Sequence, residues 1–318
     1  MTRPRARSLA TAILAGDRRA LARAITAVES GDASADPLLR EVFPKTGRIP
    51  IVGLTGPLGV GKSSLVNLLV AHLRTLGKTV GVVAVDPSSP FSGGSVLGDR
   101  IRLERRADDE GVFFRSMASR GASGGVASST RDVARLLEAA GFDIVFVETV
   151  GSGQVDVTIR EVATTRIVVV VPHLGDEVQT LKAGLFEISD IFCVNKSDLP
   201  GAETAERHLS ELSQLGPAAD GWRARIVRTS TVTPSGIPEL WAAVEAHERF
   251  VADSPGHQAD LRRRLSDEIV GRVRDVVARE TAERLETDPS LRRLVDQVVA
   301  RELDPRTAAD RLLSLGRP

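Results

Sequence analysis

Hydrophobic and polar positions along the chain sort into short, continuous apolar runs separated by stretches of helical periodicity. Runs at 51–54, 79–85, 112–115, 142–147, 166–171, 188–194 and 225–229 read as strands, most of them predominantly apolar rather than alternating. That is the pattern of strands buried on both faces, which belong to parallel sheets covered by helices. Between them, 64–76, 130–140 and 237–250 carry apolar residues at helical spacing; Gly141 stands where a helix would end and Pro238 in a first turn. The alternation predicts an α/β fold, a mostly parallel sheet flanked by helices.

The ends of the chain follow a different pattern. Residues 8–29 give two short amphipathic helices broken near Gly16-Asp17, and a third begins at Pro37. Beyond a linker at 253–256 come charged helices at 261–285, 291–303 and 307–315. Leu261, Leu265, Ile269, Val273 and Val276 form an apolar stripe there, the mark of a core or subunit interface. The expected division is an N-terminal helical arm at 1–46, the α/β domain at 47–252 and a helical C-terminal region at 253–318.

Charge adds little to this picture, since 42 Lys and Arg balance 42 Asp and Glu. Nothing global points to nucleic acid or an anionic membrane. The longest apolar run, 167–171, is far too short to span a bilayer. Arg3, Arg5 and Arg7 precede an apolar stretch at 9–15, but Asp17-Arg18-Arg19 interrupts it, so a helix of a cytoplasmic protein is expected rather than a signal peptide. The single cysteine, Cys193, excludes an internal disulfide framework and fits a reducing compartment. The five histidines show no metal-ligand spacing.

The chemistry is concentrated after the strands. Gly56-Pro57-Leu58-Gly59-Val60-Gly61-Lys62-Ser63, followed by Ser64, completes a phosphate-binding P-loop between a strand and a helix. Its glycines let backbone N–H groups converge on phosphate oxygens, and the helix adds its positive end. Lys62 is placed to reach the β- and γ-phosphates and Ser63 to hold Mg²⁺. Glu148, at the tip of a buried strand, occupies a position from which P-loop proteins hold the Mg²⁺ shell. Gly151 can bring its backbone N–H to a γ-phosphate, with Gln154 nearby in sequence. Asp86 and Asp99, taken alone, read as turn and cap residues.

Asn195-Lys196-Ser197-Asp198 ends another strand. An Asp198 carboxylate accepts two N–H donors from one edge of guanine, an edge on which adenine offers no such pair. Asn195 can supply a donor and an acceptor, the Lys196 stem can cover the base, and backbone groups at Ser230-Thr231 could meet the guanine oxygen. Arginine supplies nearly all other positive charge, so the five lysines, Lys45, Lys62, Lys78, Lys182 and Lys196, stand out. A compact ammonium suits a phosphate or a narrow slot.

With Asp86-Pro87-Ser88-Ser89, Leu97-Gly98-Asp99, Glu148-Thr149-Val150-Gly151-x-Gly153-Gln154 and Gly175-Asp176-Glu177-x-Gln179 in order between the P-loop and Asn-Lys-Ser-Asp, the chain resembles the MeaB/ArgK family. These are G-protein chaperones of adenosylcobalamin-dependent acyl-CoA mutases. The resemblance implies a SIMIBI-type P-loop GTPase fold and hydrolysis of GTP to GDP with Mg²⁺. It makes Asp86, Asp99 and Glu148 Mg²⁺-site or switch carboxylates. It likens 172–184 to a third switch that responds to the mutase, with Lys182 reaching the nucleotide once the partner binds, and it implies a homodimer through the C-terminal helices. His173-Leu174, Ser152, Ala122 and Thr164 depart from the family's usual residues. Two other functions fit a P-loop: a kinase phosphorylating a transport or binding protein, which Asn-Lys-Ser-Asp opposes, and a nickel or cobalt metallochaperone, which would carry a His- or Cys-rich tract.

Overall fold

The computed structural model describes residues 3–32, 35–87, 109–119, 125–149, 157–172, 188–215 and 221–315. In chain order the elements are helices α1 (Arg3–Leu14), α2 (Arg18–Glu29) and α3 (Ala35–Val42), then β1 (Ile51–Thr55), α4 (Lys62–Thr75), β2 (Val80–Pro87), β3 (Val112–Ser119), α5 (Gly125–Ala139) and β4 (Ile144–Thr149). They continue with α6 (Val157–Val162), β5 (Thr165–Val170), β6 (Ile191–Val194), α7 (Ala202–Leu215), β7 (Arg225–Arg228), α8 (Ile237–Asp253), α9 (His257–Thr287), α10 (Pro289–Val299) and α11 (Pro305–Leu315).

The seven strands form one sheet in the order β3-β2-β4-β1-β5-β6-β7, and every pair is parallel. The apolar runs resolve into two faces. On β4, Ile144 and Phe146 pack with α4 and α8, whereas Val145 and Val147 pack with α5, α6 and the helices of the N-terminal arm. On β5, Ile167 and Val169 join the α4 side, while Val168 and Val170 meet α7. This parity aims the site residues: Glu148 continues the α4-facing series of β4, and Asn195 continues Ile191 and Cys193 on β6.

The arm helices share a core with the sheet. Asp17 caps α2 by accepting from the backbone N–H groups of Arg19 and Ala20 at 2.8 and 3.0 Å. Leu21, Ile25 and Leu38 are fully enclosed. The Arg18 guanidinium donates to the carbonyl of Glu110, at 2.7 Å, and to that of Val112.

Several elements differ from the expectation. Helix α5 starts at Gly125, ahead of the expected 130, and its Thr130, Val133 and Ala134 are buried. Strand β6 is shorter than 188–194: pairing with β5 begins at Ile191, while Asp190 is engaged by Arg166. Helix α10 begins at Pro289, set by an Asp288 cap on Ser290 N–H. Helices α6 and α7 were not anticipated.

By compactness the chain divides into a unit ending at Leu261 and another from Arg262 onward. The second is helical, and α9 buries no residue. No helix among the described residues is long and apolar enough to cross a membrane.

Candidate functional site

Strand β1 lies in mid-sheet, and its neighbours β4 and β5 lie to either side. The chain changes direction at this point, and open parallel sheets place ligands outside the carboxyl ends of the strands there. The 56–61 loop is fixed by backbone constraints no other residue type meets. At Gly56, with φ +144°, an added Cβ would stand 2.2 Å from the Val169 carbonyl oxygen. At Gly61, with φ +94°, it would stand 2.5 Å from Asn195 Nδ2. The loop is therefore pressed against both β5 and the residues after β6.

Lys62 opens α4, is 6% exposed, and donates from Nζ to the carbonyls of Gly56 at 2.8 Å and Pro57 at 2.9 Å. Ser63 Oγ donates to Glu148 Oε1 at 2.5 Å, joining the first turn of α4 to the tip of β4. Glu148 is 5% exposed. Next to it, the Thr149 hydroxyl is buried without a hydrogen-bond partner among the described residues.

The Asn195–Asp198 loop clasps the P-loop directly. Asn195 is fully buried; Nδ2 donates to the Val60 carbonyl at 2.7 Å, and Oδ1 accepts from Thr229 Oγ1 at 3.1 Å. Lys196, held in the left-handed region at φ +56°, donates from Nζ to the Gly59 carbonyl at 2.9 Å. Asp198 is exposed, and its Oδ1 accepts from Ser230 Oγ at 2.5 Å. Ser230 Oγ in turn accepts from Thr233 N–H at 3.2 Å. An antiparallel bridge between Ser230 and Ser235 folds this turn back before Gly236 starts α8. Thr231 lies within the same turn.

The P-loop residues Gly56 to Ser64, together with Glu148, Asn195, Lys196, Asp198, Ser230 and Thr231, are thus gathered at one end of the sheet. For Asp86 the strand register alone is described: it pairs with Ala118 at the carboxyl end of β2, one step past the Val85↔Thr149 pair. Asp99, Gly151, Gln154, Lys182 and nearly all of 172–184 lie outside the described residues.

A family model described as methylmalonyl-CoA mutase-associated GTPase MeaB matches residues 21–286. The chain belongs to the MeaB family. A putative GTPase of Pyrococcus horikoshii is 44% identical to this MeaB-family chain over 303 residues, covering 94% of each. A mitochondrial methylmalonic aciduria type A homolog of Caenorhabditis elegans is 34% identical over 285 residues, covering 84% of this chain and 70% of that one. A crystal structure of an LAO/AO transport system kinase superposes with a TM-score of 0.71 at 27% identity, covering 99% of this chain and 98% of that one. This MeaB-family protein is a P-loop GTPase.

Sequence reading missed one constituent of the site of this MeaB-family GTPase. Thr229, fully buried, meets Cys193 Sγ at 3.1 Å on one side and donates to Asn195 Oδ1 on the other. Burial pushes the Cys193 thiol up to about 12, with the Thr229 contact working weakly the other way, so the thiol is neutral. The available signal was positional: Cys193 lies two residues before Asn195 on one strand, and Thr229 immediately follows the neighbouring strand.

Proposed function

We propose that this GTPase is a chaperone of an adenosylcobalamin-dependent acyl-CoA mutase, methylmalonyl-CoA mutase or a close relative. Its nucleotide state gates cofactor loading and protects or reactivates the mutase. The observation that carries the nucleotide half is the clasp between the P-loop and the Asn195–Asp198 loop, which brings a phosphate cradle and a guanine-reading carboxylate to one crevice. The partner half is supported by the family's description and by the C. elegans relative.

In this reading the backbone N–H groups of 57–64 and the Lys62 ammonium take the triphosphate, with Lys62 exchanging carbonyl partners for phosphate oxygens. Asp198, oriented by Ser230, reads the guanine edge, and Lys196 lies over the base. The Ser63 hydroxyl and Glu148 carboxylate meet at 2.5 Å, a pair of hard oxygens from separate elements beside Lys62. They fit the requirement of Mg²⁺, which takes one or two protein oxygens and completes its shell with phosphate and water. Asp86 and Asp99 are further candidates for that shell. When bound, Mg²⁺ adds positive charge against the β- and γ-phosphates. What remains is positioning and electrostatics, the main source of phosphoryl-transfer catalysis. Gly151 and Gln154 serve the γ-phosphate side, and Lys182 arrives with the partner.

Helix α9 has the surface a second copy would cover. Leu261, Leu265, Ile269, Val273 and Val276 are 38–62% exposed along α9, supporting a homodimer through these helices. The protein works in the cytoplasm, and neither nucleic acid nor a membrane is a partner.

The test is GTP hydrolysis with and without each candidate mutase. The cognate mutase stimulates turnover, and Lys182→Ala abolishes the stimulation while GTP still binds. Stimulation that survives Lys182→Ala removes that residue from the mechanism, and no stimulation by any such mutase ends the chaperone reading. Phosphate transfer from ATP to a protein, without preference for GTP, would replace it with a kinase.

A further inference from the structure

We propose that Thr229 and Cys193 are positioning residues of the nucleotide site: together they set which way the Asn195 amide faces, and through it the place of the P-loop at Val60. The inference rests on the reading of this crevice as the guanine-nucleotide site and adds two residues to it.

The direction of each hydrogen bond follows from the protons available. Asn195 Nδ2 donates to the Val60 carbonyl at 2.7 Å, so Oδ1 faces Thr229 and needs a donor. The Thr229 hydroxyl has a single proton, and giving it to Oδ1 leaves only acceptor capacity on that oxygen. The contact with Cys193 at 3.1 Å is then an S–H donating into Thr229. The result is a one-way chain from Cys193 through Thr229 and Asn195 to the P-loop backbone. Cys193, Thr229 and Asn195 are all 0% exposed, so bulk solvent does not reach these links.

The opposite amide orientation is disfavoured at both ends. With the amide turned over, Oδ1 would face the Val60 carbonyl, acceptor against acceptor. Thr229 would have to accept from Nδ2 and pass its own proton to the Cys193 sulfur, a weak acceptor. The amide also lies close against the P-loop at Gly61, where an added Cβ would come within 2.5 Å of Nδ2. The orientation of Asn195 and the path of the P-loop at 60–61 are therefore one property.

The test is the binding and dissociation of fluorescent GDP, with ADP as competitor, on the full chain. Thr229→Val keeps the shape and removes the hydroxyl. It is expected to weaken GDP about tenfold, mostly through faster dissociation, the scale of one buried hydrogen bond. Thr229→Ser, which restores the hydroxyl, returns to within about twofold of the parent. Cys193→Val, which removes only the outer donor, costs about two- to threefold, and it is read in the same assay should Thr229→Val fail to fold. GDP dissociation unchanged in either valine variant, or Thr229→Ser as impaired as Thr229→Val, overturns the relay. A parent protein with no preference for GDP over ADP overturns the guanine-site reading itself, a result visible before any variant is made.

Discussion

The two ends of strands β1, β5 and β6 solve opposite problems. At the amino ends, charged and polar side chains answer one another. Asp190 accepts from the backbone N–H and guanidinium of Arg166 at 2.7–2.8 Å. His247 Nε2 lies 3.4 Å from the same carboxylate, and its Nδ1 lies 2.7 Å from the Thr165 hydroxyl. Glu248 accepts from Thr164 and Thr165 at 2.7 and 2.5 Å, and Thr164 Oγ1 accepts from Ile51 N–H at 3.0 Å. At the carboxyl ends, Lys62 and Lys196 donate to the backbone carbonyls of Gly56, Pro57 and Gly59. A carbonyl can surrender a lysine to phosphate at small cost, whereas a carboxylate inside an ionic cluster cannot be replaced without leaving a buried charge unpaired. In the proposed reading, one end stays as it is and the other exchanges partners when nucleotide binds.

Removing a lysine at the exchanging end is expected to abolish chemistry while sparing the fold. Lys62→Ala should lower GTP turnover about 10²- to 10³-fold, the scale of losing one group aimed at developing charge, as measured by phosphate release. The urea midpoint of the nucleotide-free protein should move little. A loss of turnover under tenfold would mean that Lys62 serves the loop and not the phosphate.

The closed end should behave in reverse. Asp190 and Arg166 have side chains only 8% and 21% exposed, so Asp190→Asn breaks a largely buried pair. About 3 kcal/mol of unfolding free energy should be lost, with GDP affinity of the folded fraction within about twofold of the parent. If affinity fell in step with stability, the two ends would not be separable.

How much of this was legible follows from the same contrast. The P-loop and Asn195–Asp198 could be read because each is a contiguous set whose spacing is fixed by backbone geometry, and the strands because burial on both faces leaves continuous apolar runs. The amino-end cluster could not, since Thr164, Asp190, His247 and Glu248 are far apart in sequence and ordinary where they stand. Thr164 attracted notice only as a departure from the family's usual residue, and the structure shows its hydroxyl joining β1 to α8. Thr229 was hidden for the same reason, as its partners lie on another strand. Helix α7 was overlooked although Ala202, Ala205 and Leu209 follow helical spacing; the polar residues between them masked a short stripe that packs on β6 and β7.

The smallest effect tests the closed end at a second point. Asp143 precedes β4 and accepts from Thr79, from its N–H at 2.7 Å and its hydroxyl at 2.8 Å, just ahead of β2. Burial alone would raise its pKa, but the Thr79 hydrogen bonds, with Lys78 and Arg74 nearby, outweigh it and hold the group below the ordinary 3.8. A carboxylate with a depressed folded-state pKa contributes stability that is fully present above its unfolded value and lost as pH falls through the folded one. The urea midpoints of the parent and Asp143→Asn should therefore differ most above about pH 4 and converge below it. The gap should be smaller than that of Asp190→Asn, since one threonine and two nearby cations replace a bidentate guanidinium. A gap that stayed constant from pH 2 to pH 7 would show that the Asn side chain perturbs packing and that the charge on Asp143 contributes nothing to holding the amino ends together.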